Sequence, residues 1–148
     1  MVDDRQAQFK HLLKTRGFSL TKARLLVFEQ LVGKEPQTMH ELYESVGGKI
    51  DRASLYRVVD LFERLSIVER LQTGWKYKLE LTDTFNRHHH HLTCIDCGQV
   101  FPIKEDEETE VLISRLAEKH QFLASRHQLE IQGYCAPCQA AKRSPSPN

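Results

Sequence analysis

Long apolar runs are missing from this sequence of 148 residues, although 40% of its residues are hydrophobic. No segment approaches the roughly 20 apolar residues that a membrane-spanning helix needs. Met1 to Asp4 do not lead into the apolar stretch of a secretory signal. We therefore expect a folded protein of the reducing cytoplasm that has no membrane partner.

A strong charge of either sign is also missing, because the formal net charge is +1. Residues 1–82 carry 14 Lys and Arg against 11 Asp and Glu, whereas residues 83–148 carry 7 against 9. An anionic partner would therefore prefer the first part of the chain, although this asymmetry is weak.

Apolar residues recur with helical spacing in the first part of the chain. Phe9, Leu12 and Leu13 predict a helix that stops at Gly17. Three further helices are predicted from N-cap signals, at Thr21, at the capping box of Thr38 and Glu41, and at Asp51. We expect the following inward positions in these three helices: Leu25, Phe28, Leu31 and Val32; Leu42 and Val46; Leu55, Val58, Val59, Phe62 and Leu65.

The period then changes to two, which predicts a hairpin from Ile67 to Leu81 with its turn at residues 72–74. Trp75, Tyr77 and Leu79 alternate there with Lys76 and Lys78. Helices followed by a hairpin are the order of a winged helix-turn-helix. We predict an α+β protein with an N-terminal winged-helix domain over residues 1–82, a hinge over 83–87, a metal-binding C-terminal α/β dimerisation domain over 88–141 and a disordered tail over 142–148.

The second part is predicted to mix strands with one helix. Strand-like segments cover 89–95, 99–103 and 122–131, and a helix covers 105–120. We expect the helix to bury Val111, Leu112, Leu116 and Ala117. In the last strand, His127, Leu129 and Ile131 are expected to share one face.

The four cysteines form two CxxC motifs, Cys94 with Cys97 and Cys135 with Cys138. Each short turn points two thiolates at one place, and two such turns supply the tetrahedral sulfur ligands that zinc favours. Four sulfurs leave no open coordination position, so we predict a structural zinc site. A redox dithiol, or two unrelated buried pairs, is the alternative.

Four consecutive histidines, His88, His89, His90 and His91, stand directly before the first CxxC motif. In an extended segment, His88 and His90 face one way while His89 and His91 face the other. One tetrapeptide can therefore contribute to two metal sites. A solvated loop or a tag remnant is the alternative, although the internal position argues against a tag.

Few residues can complete these two sites. Glu110 lies one turn into its helix and His127 lies on an apolar strand face, so both could join His88 and His90. Glu80 ends the hairpin and could join His89 and His91. A satisfied core histidine at position 127 and a solvated carboxylate at position 80 are the alternatives.

The fourth helix carries the strongest signal for nucleic acid. Its face opposite the apolar stripe holds side chains suited to phosphates, base edges and thymine methyl groups: Arg52, Ala53, Ser54, Tyr56 and Arg57. Lys14, Arg16, Arg24, Lys76 and Lys78 could hold the flanking DNA backbone. A solvated helix face is the alternative for this helix taken alone.

Together these features resemble the ferric uptake regulator family of metal-sensing repressors. The resemblance rests on residues 17–24, the segment Ala53 to Arg57, the run His88 to Cys97 and the second CxxC motif. It implies a homodimer that binds palindromic operators in double-stranded DNA when loaded with metal. It also implies no catalysis and no small organic substrate.

The resemblance implies a complete site of His88, His90, Glu110 and His127, and a sensing site that keeps Glu80, His89 and His91. Pro36 and Pro102 stand where further ligands of the sensing site are expected, and Asp83 is a candidate substitute. Besides the structural Zn²⁺, the implied regulatory metal is Fe²⁺ or Zn²⁺, with Mn²⁺ a further candidate.

Metal at the sensing site is expected to close the hinge and to fix the spacing of two recognition helices. A family member that senses peroxide is one alternative. Two others are a zinc-stabilised interaction module without DNA binding and a zinc hydrolase, although the sequence lacks the HExxH motif that many such enzymes use.

Overall fold

The structure is a computed structural model that describes residues 2–104 and 106–143. Four helices and a hairpin follow one another in its first part, in the predicted order. Their bounds are α1 Val2–Thr15, α2 Lys22–Leu31, α3 Met39–Ser45, α4 Arg52–Arg64, β1 Val68–Thr73 and β2 Lys76–Leu81. An isolated bridge between Gln37 and Leu79 adds backbone pairing to the hairpin that the sequence did not predict.

Each predicted N-cap is confirmed. The Thr21 hydroxyl accepts from the backbone N–H of Arg24, and Asp51 accepts from that of Ser54. Thr38 and Glu41 form the complete capping box. These bonds satisfy donors that the first turn of a helix would otherwise leave without partners, so the helices begin where their sequence signals stand.

Four phenylalanine rings form the centre of the first core. Phe9 stacks on Phe28 with ring centroids 4.1 Å apart and meets Phe62 edge-on at 5.4 Å. The predicted stripe of α4 is buried except at Leu65, which is half-buried. In α2 the prediction for Leu25 was wrong, because Val27 is buried instead and Leu25 is half-buried. Phe28 and Leu31 are buried as predicted, and Val32 is half-buried against the core.

The hairpin turns one residue later than predicted. β1 continues to Thr73, Gly74 has a φ of 68°, and Trp75 is 86% exposed in the turn. The predicted alternation is not seen in the burial of β2, because Tyr77 and Lys78 are both half-buried and residues 79–81 are all buried.

A three-stranded sheet and two helices follow. Their bounds are β3 His89–Cys94, β4 Val100–Lys104, α5 Glu107–Lys119, β5 Glu130–Gly133 and α6 Ala136–Arg143. The order is β4-β3-β5, with β4 antiparallel and β5 parallel to β3. Helix α6 was not predicted, and it includes the first two residues of the predicted tail. Residues 144–148 and Glu105 lie outside the described residues.

Two predictions for this part were wrong. The last strand begins at Glu130 rather than near residue 122, because its pairing with β3 extends only over His91 to Cys94. Helix α5 buries none of its side chains. Three of the residues predicted to face inward are exposed and the fourth, Ala117, is half-buried; the exposed ones are Val111, Leu112 and Leu116. Periodicity identified the apolar face of α5, but none of the described residues buries it.

Contacts divide the chain into two units. The first unit comprises residues 1–71 and 77–87, and the second comprises 72–76 and the chain from residue 88 onward. The predicted domain bounds stay a prediction. Within the predicted hinge, Phe85 is 3% exposed and packs edge-on against Phe28 at 5.1 Å. None of the described helices has the length and apolar character that a membrane span requires.

Replacing Phe85 with alanine should destabilise the first unit. Removing a buried phenylalanine ring costs roughly 3–5 kcal/mol, because it leaves a cavity beside the rings of Phe9 and Phe28. Urea unfolding followed by circular dichroism measures the loss. Phe122→Ala is the matched control, since the Phe122 ring is 68% exposed. Equal losses for the two variants would contradict the burial of Phe85.

Candidate metal centres and nucleic-acid interface

Alternation along β3 splits the four histidines into two pairs. The rings of His88 and His90 lie 4.9 Å apart, and those of His89 and His91 lie 4.5 Å apart. The extended backbone sends successive side chains to opposite faces of the sheet. Each pair therefore presents its nitrogens to a different environment.

His88 and His90 meet Glu110 and His127, and we call this group the first centre. Nε2 of His88 lies 2.8 Å from Nε2 of His127, and Nε2 of His90 lies 3.0 Å from Oε1 of Glu110. The same Glu110 oxygen lies 3.3 Å from Nε2 of His127 and 3.7 Å from Nε2 of His88. Three imidazoles thus converge on one carboxylate oxygen.

Three different elements bring these side chains together. Asp106 caps α5 by accepting from the backbone N–H of Thr109, which sets the first turn that carries Glu110. His127 belongs to an irregular segment, not to the predicted strand. That segment is fixed two residues later, where the backbone N–H of His91 donates to the carbonyl of Leu129.

The first centre fits a divalent transition metal. Metal–nitrogen bonds of about 2.0–2.1 Å place tetrahedral ligands about 3.3–3.4 Å apart, and the separations of 2.8 to 3.7 Å bracket that value. His90 is 1% exposed, and its Nδ1 has no hydrogen-bond partner among the described residues. A cation bound through Nε2 would balance the carboxylate and give the crowded imidazoles a shared partner.

The four cysteines form a second cluster, which we call the sulfur centre. Their four sulfurs lie within 4.8 Å of one another, and Sγ of Cys97 lies 3.8 Å from Sγ of Cys135. A tetrahedral zinc site with bonds of about 2.3 Å has sulfurs about 3.8 Å apart. Cys94 is buried whereas Cys97 is exposed, so the cluster lies at the edge of the second unit.

Backbone N–H groups favour the thiolate form of Cys94, which is the form that binds a cation. The backbone N–H of Cys135 donates to the Cys94 sulfur at 3.4 Å. This bond, followed by those from the backbone of Cys97 and Asp96, lowers the pKa of the Cys94 thiol to about 6. Hydrogen bonding with Cys135 and then burial raise the pKa of the Cys138 thiol to about 12. Four crowded sulfurs cannot all ionise without a positive charge among them, and zinc would supply that charge.

The remaining predicted ligands are His89 and His91 in β3 and Glu80 in β2. His89 is half-buried and His91 is buried. Glu80 is 4% exposed, so the alternative of a solvated carboxylate at the end of the hairpin is wrong. A carboxylate excluded from water requires compensation by charge or hydrogen bonds.

The predicted face of α4 is accessible. Arg52, Ala53, Tyr56 and Arg57 are exposed, and Ser54 is half-buried. The Ser54 hydroxyl donates to Asp51 at 2.6 Å and accepts from Nη2 of Arg57 at 3.1 Å. The N-cap thereby orients one of the two guanidinium groups near the start of this helix.

The other predicted DNA contacts differ in their surroundings. Arg16 is exposed. Arg24 is half-buried, donates to the carbonyl of Ser19 and lies over the ring of Phe18, with its Cζ 5.6 Å from the ring centroid. Nζ of Lys76 lies 4.6 Å from the centroid of Trp75.

Sequence reasoning missed Tyr43 of α3. The Cζ atom of Arg52 lies 4.8 Å from the centroid of the Tyr43 ring, at the start of the predicted recognition helix. No spacing rule joins residues in two successive helices, so only the packing of α3 beside α4 could reveal this contact.

The wild-type protein should retain zinc through purification, and the variants Cys97→Ser and Cys138→Ser should lose it. Each substitution removes one of four sulfurs, and a structural zinc is held only when its ligands are complete. Elemental analysis after dialysis, combined with titration of free thiols, measures the effect. His120→Ala is the control, because this exposed histidine belongs to neither centre. Unchanged zinc content in both cysteine variants would contradict the assignment.

Comparison with known proteins places this arrangement in a family. The model of the ferric uptake regulator family matches residues 15–132. The ferric uptake regulation protein of Escherichia coli (strain K12) is 36% identical over an alignment 132 residues long, which covers 84% of this chain and 86% of that protein.

The fold is also similar to those of solved ferric uptake regulators. The ferric uptake regulator of Helicobacter pylori, described as having three functional metal binding sites, covers 94% of each chain with a TM-score of 0.77 and 21% identity. That of Vibrio cholerae, described as showing rearranged DNA-binding domains, has a TM-score of 0.68 and 29% identity, over 85% of this chain and 98% of its own. The chain belongs to the ferric uptake regulator family of metal-responsive transcriptional regulators.

Proposed function

We propose that this protein is a metal-dependent transcriptional repressor that binds palindromic operators as a homodimer and controls genes of metal uptake or homeostasis. The convergence of His88, His90, Glu110 and His127 carries the proposal, because three imidazoles around one carboxylate oxygen form a cation site. Membership of a family of metal-responsive regulators supports it.

The DNA interface is the exposed face of α4. Arg52 and Arg57 supply positive charge for phosphates or guanine edges, and Ala53 and Tyr56 supply apolar surface for thymine methyl groups. The V. cholerae relative, 29% identical to this chain, is described as having DNA-binding domains. Arg16, Arg24 and Lys76 add contacts with the DNA backbone.

The regulatory metal is bound by His89 and His91, whose rings lie on the face of β3 opposite the first centre. Imidazole ligands suit Fe²⁺ and Zn²⁺, whereas Mn²⁺ prefers oxygen ligands and would depend on a carboxylate in the set. That Glu80 completes the set stays a prediction from the sequence. The sulfur centre is structural, since four sulfurs leave no position for a further ligand.

A second copy of the chain covers the apolar face of the second unit. Val111, Leu112 and Leu116 are exposed on α5, although they form one apolar stripe. Beside the cysteines lies an apolar groove of about 400 Å³, lined in part by Leu92, Phe101, Ile131 and Tyr134. Exposed apolar surface of this extent marks an interface between proteins.

We propose regulation rather than catalysis on two grounds. The sulfur centre has no position for a substrate, and family members are regulators. We propose that the protein acts in the cytoplasm, where its DNA target lies and where free thiols stay reduced.

Metal should raise the affinity for DNA. Duplexes are selected from a randomised pool, and binding is measured by gel shift with metal-free protein and with Zn²⁺, Fe²⁺ and Mn²⁺ added separately. We expect at least one metal to tighten binding by roughly 5- to 150-fold, the usual range of coupling between two sites. Selection of no duplex under any condition would overturn the proposed function.

Substitutions of the proposed ligands test which residues bind the metal that raises the affinity for DNA. His89→Ala and His91→Ala should each reduce the gain caused by metal, whereas His40→Ala and His120→Ala, which alter exposed histidines outside the clusters, should leave it unchanged. Glu80→Gln tests the predicted third ligand, because it keeps the shape of the side chain and removes the charge. A full metal response in both β3 variants would contradict the assignment of His89 and His91.

Charge placed on α5 should dissociate the dimer. Leu112→Lys and Leu116→Lys would bury an ammonium group in an apolar interface, which is strongly unfavourable. Sedimentation velocity should show wild-type dimers and a shift of both variants towards monomers. Leu20→Lys, at an exposed leucine of the first unit, is the control. Dimers that persist in both α5 variants would show that another surface joins the copies.

A further inference from the structure

We propose that Tyr43 is a positioning residue of the DNA interface, whose ring holds the guanidinium of Arg52 where it binds a DNA phosphate. The inference rests on the proposed DNA-binding function and adds to it a residue outside the recognition helix. Tyr43 belongs to α3 and Arg52 is the first residue of α4, and the Cζ of Arg52 lies 4.8 Å from the ring centroid.

Tyr43 is well placed to hold another side chain still. Tyr43 is half-buried and packs against the core cluster of the first unit, so its contact with the core restricts the movement of its ring. Arg52 is exposed. An arginine stacked on an aromatic face keeps the edge of its guanidinium free to donate hydrogen bonds, which is the edge that a phosphate needs.

The charge of Arg52 requires an explanation that the chain alone does not supply. No carboxylate among the described residues forms an ion pair with it. A cation in the first turn of a helix also opposes the helix dipole, whose positive end lies there. Local rules of helix design therefore disfavour arginine at this position. An anion brought by a partner removes the conflict, and DNA carries a negative charge at every phosphate.

The contact with the Tyr43 ring also reduces the conformational entropy that Arg52 loses when it binds DNA. A free arginine loses rotamer freedom when it contacts a partner, whereas one already held in place loses less. Arg57 gains the same advantage from a different neighbour, the Ser54 hydroxyl. Arg64, in the last turn of the same helix, is exposed, and among the described residues its guanidinium lies over no aromatic ring and donates to no hydroxyl. The two guanidinium groups near the start of α4 are thus both held before DNA arrives.

A double-mutant cycle tests the proposal. Full-length wild type, Tyr43→Leu, Arg52→Ala and the double variant are compared on the duplex selected from the randomised pool, over a range of salt concentrations. Leucine keeps the apolar burial of Tyr43 and removes its ring. Tyr43→Phe keeps the ring face, and Arg64→Ala removes a charge from the far end of α4. Thermal unfolding of each variant checks the fold.

We expect Tyr43→Leu to weaken binding about two- to fivefold per half-site, the range of a solvent-exposed cation–π contact. Arg52→Ala should also make binding less dependent on salt. The slope of the logarithm of the binding constant against the logarithm of the salt concentration should fall by about one per protomer, the value for one lost phosphate contact. Tyr43→Leu should add nothing in the Arg52→Ala background, and Tyr43→Phe and Arg64→Ala should bind within about twofold of wild type.

Three results would overturn the proposal. The first is an equal effect of Tyr43→Leu with and without Arg52, which would make the ring merely structural. The second is a loss in Tyr43→Phe as large as that in Tyr43→Leu. The third concerns Arg52→Ala: its affinity for the selected duplex falls relative to that for a scrambled duplex, while the salt dependence of binding stays as in wild type. That result would mean that Arg52 contacts a base. If wild type selects no duplex, the proposed function fails instead.

Discussion

The alternation of side chains along an extended backbone is the constraint on which the metal chemistry of this protein depends. Four adjacent imidazoles on a helix would spread around its axis, whereas β3 sorts them into two pairs on opposite faces. A shift of one residue in the pairing of β3 with β4 and β5 would exchange the two pairs. The sheet register, which pairs His90 with Ile103 and His91 with Glu130, therefore determines which histidines meet Glu110 and His127.

The same arrangement carries an energetic cost that links metal to folding. His90 is buried beside a carboxylate, and four sulfurs crowd together at the sheet edge. Removing such groups from water is unfavourable unless charge or hydrogen bonds compensate. A dication bound at each centre would compensate, and its binding free energy would then contribute to the stability of the second unit. Among the described residues the second unit has little apolar core to replace that contribution, since no side chain of α5 is buried.

Local signals in the sequence were sufficient for much of the fold and for most of the candidate site. Caps at Thr21, Thr38 and Asp51 act within three or four residues, so sequence spacing alone locates them. The CxxC turns and the histidine alternation are equally local. Features that depend on distant partners were missed: β5 is short because only four residues of β3 are available to it, and the contact of Arg52 with Tyr43 depends on how two helices pack.

The apolar stripe of α5 shows where such reasoning stops, and why the error is informative. Periodicity measures how apolar residues are arranged around a helix, but it cannot say whether the chain itself or a second copy covers them. In α4 the stripe meets the phenylalanine core and is buried. In α5 a stripe of the same kind remains exposed, and so do Phe101 and Ile131 of the sheet. A helix that has the pattern of burial without being buried is the basis for the proposed interface between two copies. A regulator that binds a palindrome requires an interface of this kind, because two-fold symmetry in the DNA must be matched by two-fold symmetry in the protein.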